Sequence, residues 1–252
     1  MLIKTREEIE KILKSGKILA QVAKEVMSSI APGISLKSLD DLARELIKKA
    51  GAKPAFLGYR PYGAKRPYPC SICASVNEVI VHGIPTDYKL KEGDLVKVDF
   101  GVINEGWYAD AAWTIAVGEV SPKAQKLIEV TREALNAGIK QAKIGKNLGD
   151  IGWAINSTVK NKGFKIVEGL TGHGVGEELH EDPSVYNTGK KGSGMVLKSG
   201  MVFAIEPMVS AGTSEIIQLS DDSFATADGS LSAHFEHTIA ITDRGPEILT
   251  LP

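Results

Sequence analysis

Only two cysteines, Cys70 and Cys73 in PCSIC, occur among the 252 residues, too few for a disulfide framework. No second Cys pair completes a thiolate zinc site and no thioredoxin-like pattern surrounds this one, so two reduced thiols lining a core or pocket are expected. No apolar run approaches the ~20 residues of a membrane span, and the opening MLIKTREEIE is too charged for a signal peptide. A cytoplasmic protein is therefore expected. Charge excess is missing too: 30 basic and 31 acidic residues give a net charge of -1, without the broad basic surface that nucleic acid calls for. There is no P-loop, no G-x-S-x-G elbow and no Gly-rich turn of Rossmann type, which sets aside the corresponding phosphate-binding and serine chemistries.

What is present is an ordinary globular composition, 43% hydrophobic and 24% charged, long enough for one large domain or two fused halves. Thr5 with Glu8 forms a capping-box pattern ahead of apolar residues at Ile9, Leu13, Leu19, Val22 and Val26, which predicts a helix. A second helix is predicted from about Leu36 to Ala50, stopped by Gly51, a third from Ser121-Pro122, and a fourth from about Leu148 to Lys162, stopped by Gly163. The second and fourth overlay at a constant offset, with Gly33 on Gly145, Leu36 on Leu148 and Gly51 on Gly163. LKEGDLVKVDFGV overlays LKSGMVFAIEPMV in the same way and sets Asp99 on Glu206. An internal duplication accounts for both, giving one domain, 1–252, of two similar α+β halves, about 1–117 and 118–252.

Each half carries a pair of acids. A hairpin turning at Asn104-Glu105 places Asp99 directly opposite Asp110, with Cβ atoms about 5 Å apart, a destabilising pairing for like charges. A hairpin centred on Asp221, in SDDS, likewise places Glu206 opposite Glu236. Taken singly, each acid is most simply a solvated turn or edge residue. Matched in pairs by duplication and by register, the four read as one cluster. Buried without partners they would cost several kcal/mol per ion and take up protons, whereas two divalent cations would cancel the charge. Oxygen-rich ligation with an imidazole suits Mn, Fe, Co or Zn. His173 and His180, in GLTGHGVGEELHEDPSV, are candidates for a ligand and for a donor to a developing oxyanion. His237 should face away from its neighbour Glu236 and is set aside. Such a site points to metal-assisted hydrolysis, with one carboxylate relaying a proton.

SVNEVIVHGIP, KVDFG, YAD, TGHGVG, LHEDPSV, AIEPMV and LSAHFEHTIAIT together resemble the type I methionine aminopeptidases over nearly the whole chain. The resemblance implies the pita-bread (creatinase/aminopeptidase) fold and removal of the N-terminal methionine from nascent proteins and peptides, preferentially before a small second residue. It implies that Asp99 binds one of two metals, that His173 and Glu206 bind the other, and that Asp110 and Glu236 bridge them. Glu206 would also be the acid/base, His180 would stabilise the tetrahedral intermediate, and His82 would contact substrate near the scissile bond. Phe56, Tyr59, Tyr62, Cys73, Leu179 and Phe224 match the methionine pocket, and Asn77, Val79 and Ser232 match a monovalent-cation site. A monomer that meets the ribosome transiently, with no membrane and no specific nucleic-acid partner, is the implied setting. Leu179, Trp113 and His234 depart from the residues common in relatives, His234 standing in place of a Gln. Alternative readings are a proline-specific peptidase of the same fold, aminopeptidase P or prolidase, and a non-catalytic binding paralogue. The first helix, starting near residue 5, leaves no room for the extra N-terminal domain such peptidases carry, and all five ligand positions are filled.

Overall fold

The structure is a computed structural model, which describes residues 3–60 and 66–251. Its helices start where capping residues put them. α1 (Arg6–Ser28) follows Thr5, whose side chain accepts from the Glu8 N–H while the Glu8 carboxylate accepts from the Thr5 N–H. α2 (Leu36–Lys49) is capped by Ser35 and is followed by Gly51 at φ +76°. α3 (Pro122–Gln141) has Ser121 as cap and proline at its start, and α4 (Leu148–Lys160) follows Asn147.

Ahead of α3 run β1 (Lys53–Pro54), β2 (Ile72–Val76), β3 (Val79–Val81), β4 (Leu95–Asn104) and β5 (Trp107–Ala116). After α4 come β6 (Lys165–Ile166), β7 (Thr171–Gly174), β8 (Glu181–Tyr186), β9 (Val202–Ile205) and β10 (Met208–Ser210). The last strands are β11 (Ile216–Gln218), β12 (Phe224–Thr226), β13 (Ser232–His234), β14 (His237–Thr242) and β15 (Gly245–Ile248). In one sheet β4 pairs with β1, β2 and β5; another has the order β15-β14-β9-β7-β8. Leu19, Leu39 and Ile47 of α1 and α2 pack on Val96, Val98 and Phe100 of β4. Leu127, Ile139, Ile151 and Ile155 of α3 and α4 pack on Phe203, Ile205 and Ile239. Each such side chain contributes roughly 1.5–3 kcal/mol when fully buried. Among the described residues no helix is long and apolar enough to cross a membrane.

The register of the first hairpin differs from the sequence expectation. The turn lies one residue later, at Glu105-Gly106, with φ of +52° and +85°, so Asp99 pairs with Ala112 and Asp110 with Gly101. A two-residue turn of this hand needs positive φ at both positions and favours glycine at the second, which Gly106 supplies. The two aspartates are thus diagonal neighbours on one face of the sheet rather than directly opposed. In the second hairpin the expected centre is the observed one. Ile205 pairs with His237, Met208 with His234 and Gln218 with Phe224, all symmetric about Asp221. The ladder lapses at Glu206-Pro207 and Phe235-Glu236, where Pro207 has no N–H to give.

The two hairpins are joined edge to edge. Ala112 and Glu236 exchange both backbone hydrogen bonds, at 3.3 and 2.9 Å. Two residues away on either side a threonine hydroxyl takes over from the backbone. The Asp110 N–H donates to Thr238 Oγ1, which donates to Asp110 O; the His234 N–H donates to Thr114 Oγ1, which donates to His234 O. This seam sets the strands bearing Asp99, Asp110, Glu236 and Glu206 side by side.

Candidate metal centre

One ligand atom each from Asp110, His173 and Glu236 lies within 4.8 Å of the others, and the same holds for Glu206, His234 and Glu236. Asp99 joins through its direct interaction with Asp110. His173 Nε2 is 3.5 Å from Glu206 Oε1 and 3.8 Å from Asp110 Oδ2. Its Nδ1 lies 3.0 Å from Gly174 O, which can only accept, so Nδ1 carries a proton and Nε2 is directed at the carboxylates. The flanking glycines leave room for neighbouring strands: a Cβ on Gly172 would meet Ala204 O at 2.3 Å, and one on Gly174 would meet Asp182 O at 2.3 Å.

Burial raises all four carboxyl groups. Asp99 and Glu206 are pushed up to about 7, the latter against the opposing pull of His173. Asp110 and Glu236 rise well above the ordinary range, first through burial and then through the charges of their neighbours. Asp99 Oδ1, Asp110 Oδ1, Glu236 Oε1 and His234 Nε2 are buried without a hydrogen-bond partner among the described residues. Each such orphan costs about 1–3 kcal/mol or more where charged. Carboxylates and an imidazole left facing one another in this way fit divalent cations, which would satisfy the orphans and the charge together.

The cluster forms the floor of a cleft of about 1620 Å³. Phe56, Cys73 and Leu179 pack together on one wall with Tyr59 and Tyr68 against them. Phe224 lies in a different apolar group, beside Val81 and Met208, and meets the ring of His82 edge-on at 5.9 Å. His180 stands next to His173, ring centroids 4.2 Å apart, and its Nδ1 is 2.6 Å from the Tyr59 hydroxyl. The surrounding protein and His173 hold the His180 pKa below its ordinary value, so its ring is neutral. Tyr62 lies outside the described residues. Asn77 O, Val79 O and Ser232 Oγ converge: Ser232 Oγ donates to Asn77 O at 2.9 Å and is 3.4 Å from Val79 O. His237 points elsewhere, bonding Thr250 Oγ1 at 2.8 Å with its ring against Trp113.

Tyr68 was not singled out from the sequence, and His234 only as the residue standing in place of a common Gln. Tyr68 lines the cleft and donates to Ile72 O and Gly83 O, pinning the strand that carries Cys73. His234 places Nε2 3.4 Å from Glu206 Oε2 and 3.9 Å from Glu236 Oε2. Its signal was the strand period: two residues before Glu236, it shares that residue's side.

A family model described as Metallopeptidase family M24 matches residues 10–243. The chain belongs to family M24. As an M24 metallopeptidase it is a hydrolase that uses divalent metal. Methionine aminopeptidase from Aquifex aeolicus is 48% identical to it over 252 residues, covering 98% of this chain and 97% of that protein. The crystal structure of methionine aminopeptidase from Thermotoga maritima is 47% identical, with a TM-score of 0.94 and all of both chains covered. Prolidase from Pyrococcus furiosus is 26% identical with a TM-score of 0.78, covering all of this chain and 66% of that one. These M24 likenesses bear out the pita-bread fold expected from the sequence.

Proposed function

We propose that this protein removes the N-terminal methionine from nascent proteins and peptides, preferentially where the second residue is small. The observation that carries this reading is the meeting of four carboxylates and His173 on the floor of a cleft walled by Phe56, Tyr59, Cys73 and Leu179. Asp99 would hold one divalent ion, His173 and Glu206 a second, and Asp110 and Glu236 both; Co, Mn, Fe and Zn all suit that donor set. Bound ions of this kind polarise a carbonyl and lower the pKa of water.

The remaining tasks fall to side chains. Glu206 takes the proton of the attacking water on a carboxylate oxygen and delivers it to the leaving amine. Its two oxygens face His173 and His234 respectively, which fixes the plane of the carboxylate. A Tyr59 hydroxyl donating to His180 Nδ1 leaves the Nε2–H of His180 as the donor to the oxygen that gains charge. His82, across the cleft, contacts the substrate near the scissile bond. The apolar wall takes the methionine thioether, each sulfur-to-aromatic contact contributing about 0.3–1.5 kcal/mol. The enzyme acts as a cytoplasmic monomer that meets its substrates at the ribosome.

His180→Ala lowers kcat on a Met-Ala-Ser peptide by ~10²–10³-fold, the usual loss for one oxyanion donor, with KM little changed. Unchanged kcat would take His180 out of the reaction. The reading as a whole is tested with purified protein supplied with Mn²⁺ or Co²⁺. Methionine is released from Met-Ala-Ser and a chelator stops the release. Release of X from an X-Pro peptide with Met-Ala-Ser untouched would assign the site to a proline-specific peptidase instead.

A further inference from the structure

Lys97 is 1% exposed, among the largest fully buried side chains, in a strand whose buried neighbours Leu95, Val96, Val98, Phe100 and Val102 are apolar. It lies on β4 two residues before Asp99, on the same face. Its Nζ donates to Asn77 O at 2.7 Å. Asn77 occupies the turn between β2 and β3 at φ +53°. Its side chain fixes that turn, donating to Asp94 Oδ1 and accepting from the Leu95 N–H, each at 2.9 Å. The Asn77 carbonyl also accepts from Ser232 N at 3.0 Å and from Ser232 Oγ at 2.9 Å.

Asn77 O, Val79 O and Ser232 Oγ are hard neutral oxygens, a donor set suited to a small monovalent cation and matched to one by the sequence resemblance. The structure does not fit that ion. A carbonyl oxygen offers two lone pairs, and this one already receives three donors. One of the three is an amine nitrogen standing on the oxygen itself. An amine keeps N–H donors whether protonated or not, so the obstruction does not depend on its charge.

We propose that the Lys97 amine takes the place of a bound monovalent cation in this protein. It clamps β4, the β2–β3 turn and β13 without help from Na⁺ or K⁺. The clamp joins the two segments that carry site acids, since Lys97 is two residues before Asp99 and Ser232 four before Glu236. A tethered group never dissociates, so the register of these segments becomes independent of salt identity.

The thermal midpoint of the whole, metal-loaded protein, read in NaCl, KCl and tetramethylammonium chloride at one ionic strength, tests this. The unaltered protein is expected to give the same midpoint in all three. A saturable rise specific to Na⁺ or K⁺ would overturn the proposal, because the oxygens would then be binding a free ion. Lys97→Ala is expected to melt several degrees lower in tetramethylammonium chloride and to recover part of the loss, saturably, with Na⁺ or K⁺. Lys97→Met, one atom shorter than lysine and similar in apolar volume, gives the same readout if the alanine variant does not fold. A variant that melts lower but identically in all three salts would also overturn the proposal, leaving Lys97 as a buried donor and not a substitute for an ion. None of these outcomes depends on peptidase turnover, so they stand or fall separately from the proposed function.

Discussion

Glu206→Gln lowers kcat on Met-Ala-Ser by ~10³-fold or more while the protein stays folded. Positioned proton transfer contributes about 10²–10⁴-fold, and the amide keeps the shape of the carboxyl but cannot carry the proton. In the protein without bound ions burial pushes the Glu206 carboxyl up to about 7, so protons and metal compete for this group near neutral pH. The carboxylate is also held between His173 and His234, so the amide keeps its position better than a truncation to alanine. Single-turnover rates measured beside metal content separate the two consequences of the change. A metal-replete Glu206→Gln enzyme that retained more than about a tenth of the rate would move the proton relay to another residue.

Local chemistry was the legible part of this sequence. Thr5 with Glu8, and Ser121 with Pro122, marked helix starts that the structure reproduces. The long second hairpin could be centred on Asp221 from the positions of two glutamates alone, because its pairing stays symmetric about that point through three short strands on each side. The first hairpin was misjudged because Asn104, Glu105 and Gly106 are all turn formers, and only the demand for two positive φ values selects between the two centres. The seam between the hairpins left no trace in the sequence. It depends on Thr114 and Thr238 reaching backbone groups 120 and 128 residues away, and no period or motif encodes such a contact. Lys97 was hidden for a similar reason. In VKVDFG it alternates with valines as a solvent-facing lysine would, and its burial is decided by the Asn77 carbonyl across the sheet.

Stability without metal should fall as pH rises, and with metal it should rise. In the folded protein without bound ions Asp99 and Glu206 titrate near 7 and Asp110 and Glu236 well above the ordinary carboxylate range, whereas in the unfolded chain all four titrate near 4. Above pH ~4 the folded state therefore holds protons that the unfolded state has released. For an acid whose folded pKa is raised, the stabilising contribution is complete below the unfolded value and lost as pH climbs toward the folded one. Each proton that the folded state holds and the unfolded state has released takes about 1.4 kcal/mol from stability per pH unit. The melting temperature of chelated protein should then drop between pH 5 and 7.5. With saturating Mn²⁺ the slope changes sign, since the ions compete with protons for the same oxygens and bind more tightly as those protons leave. Asp110→Asn separates the two effects. It removes one acid from a crowded, uncompensated cluster, so chelated Asp110→Asn should melt above chelated unaltered protein at pH 7.5 while losing most of its response to Mn²⁺. Were the chelated protein to gain stability from pH 5 to 7.5, the carboxylates would be paired by some group within the fold. The repulsion that draws in the ions would then be absent, and with it the reason for gathering four acids at one seam.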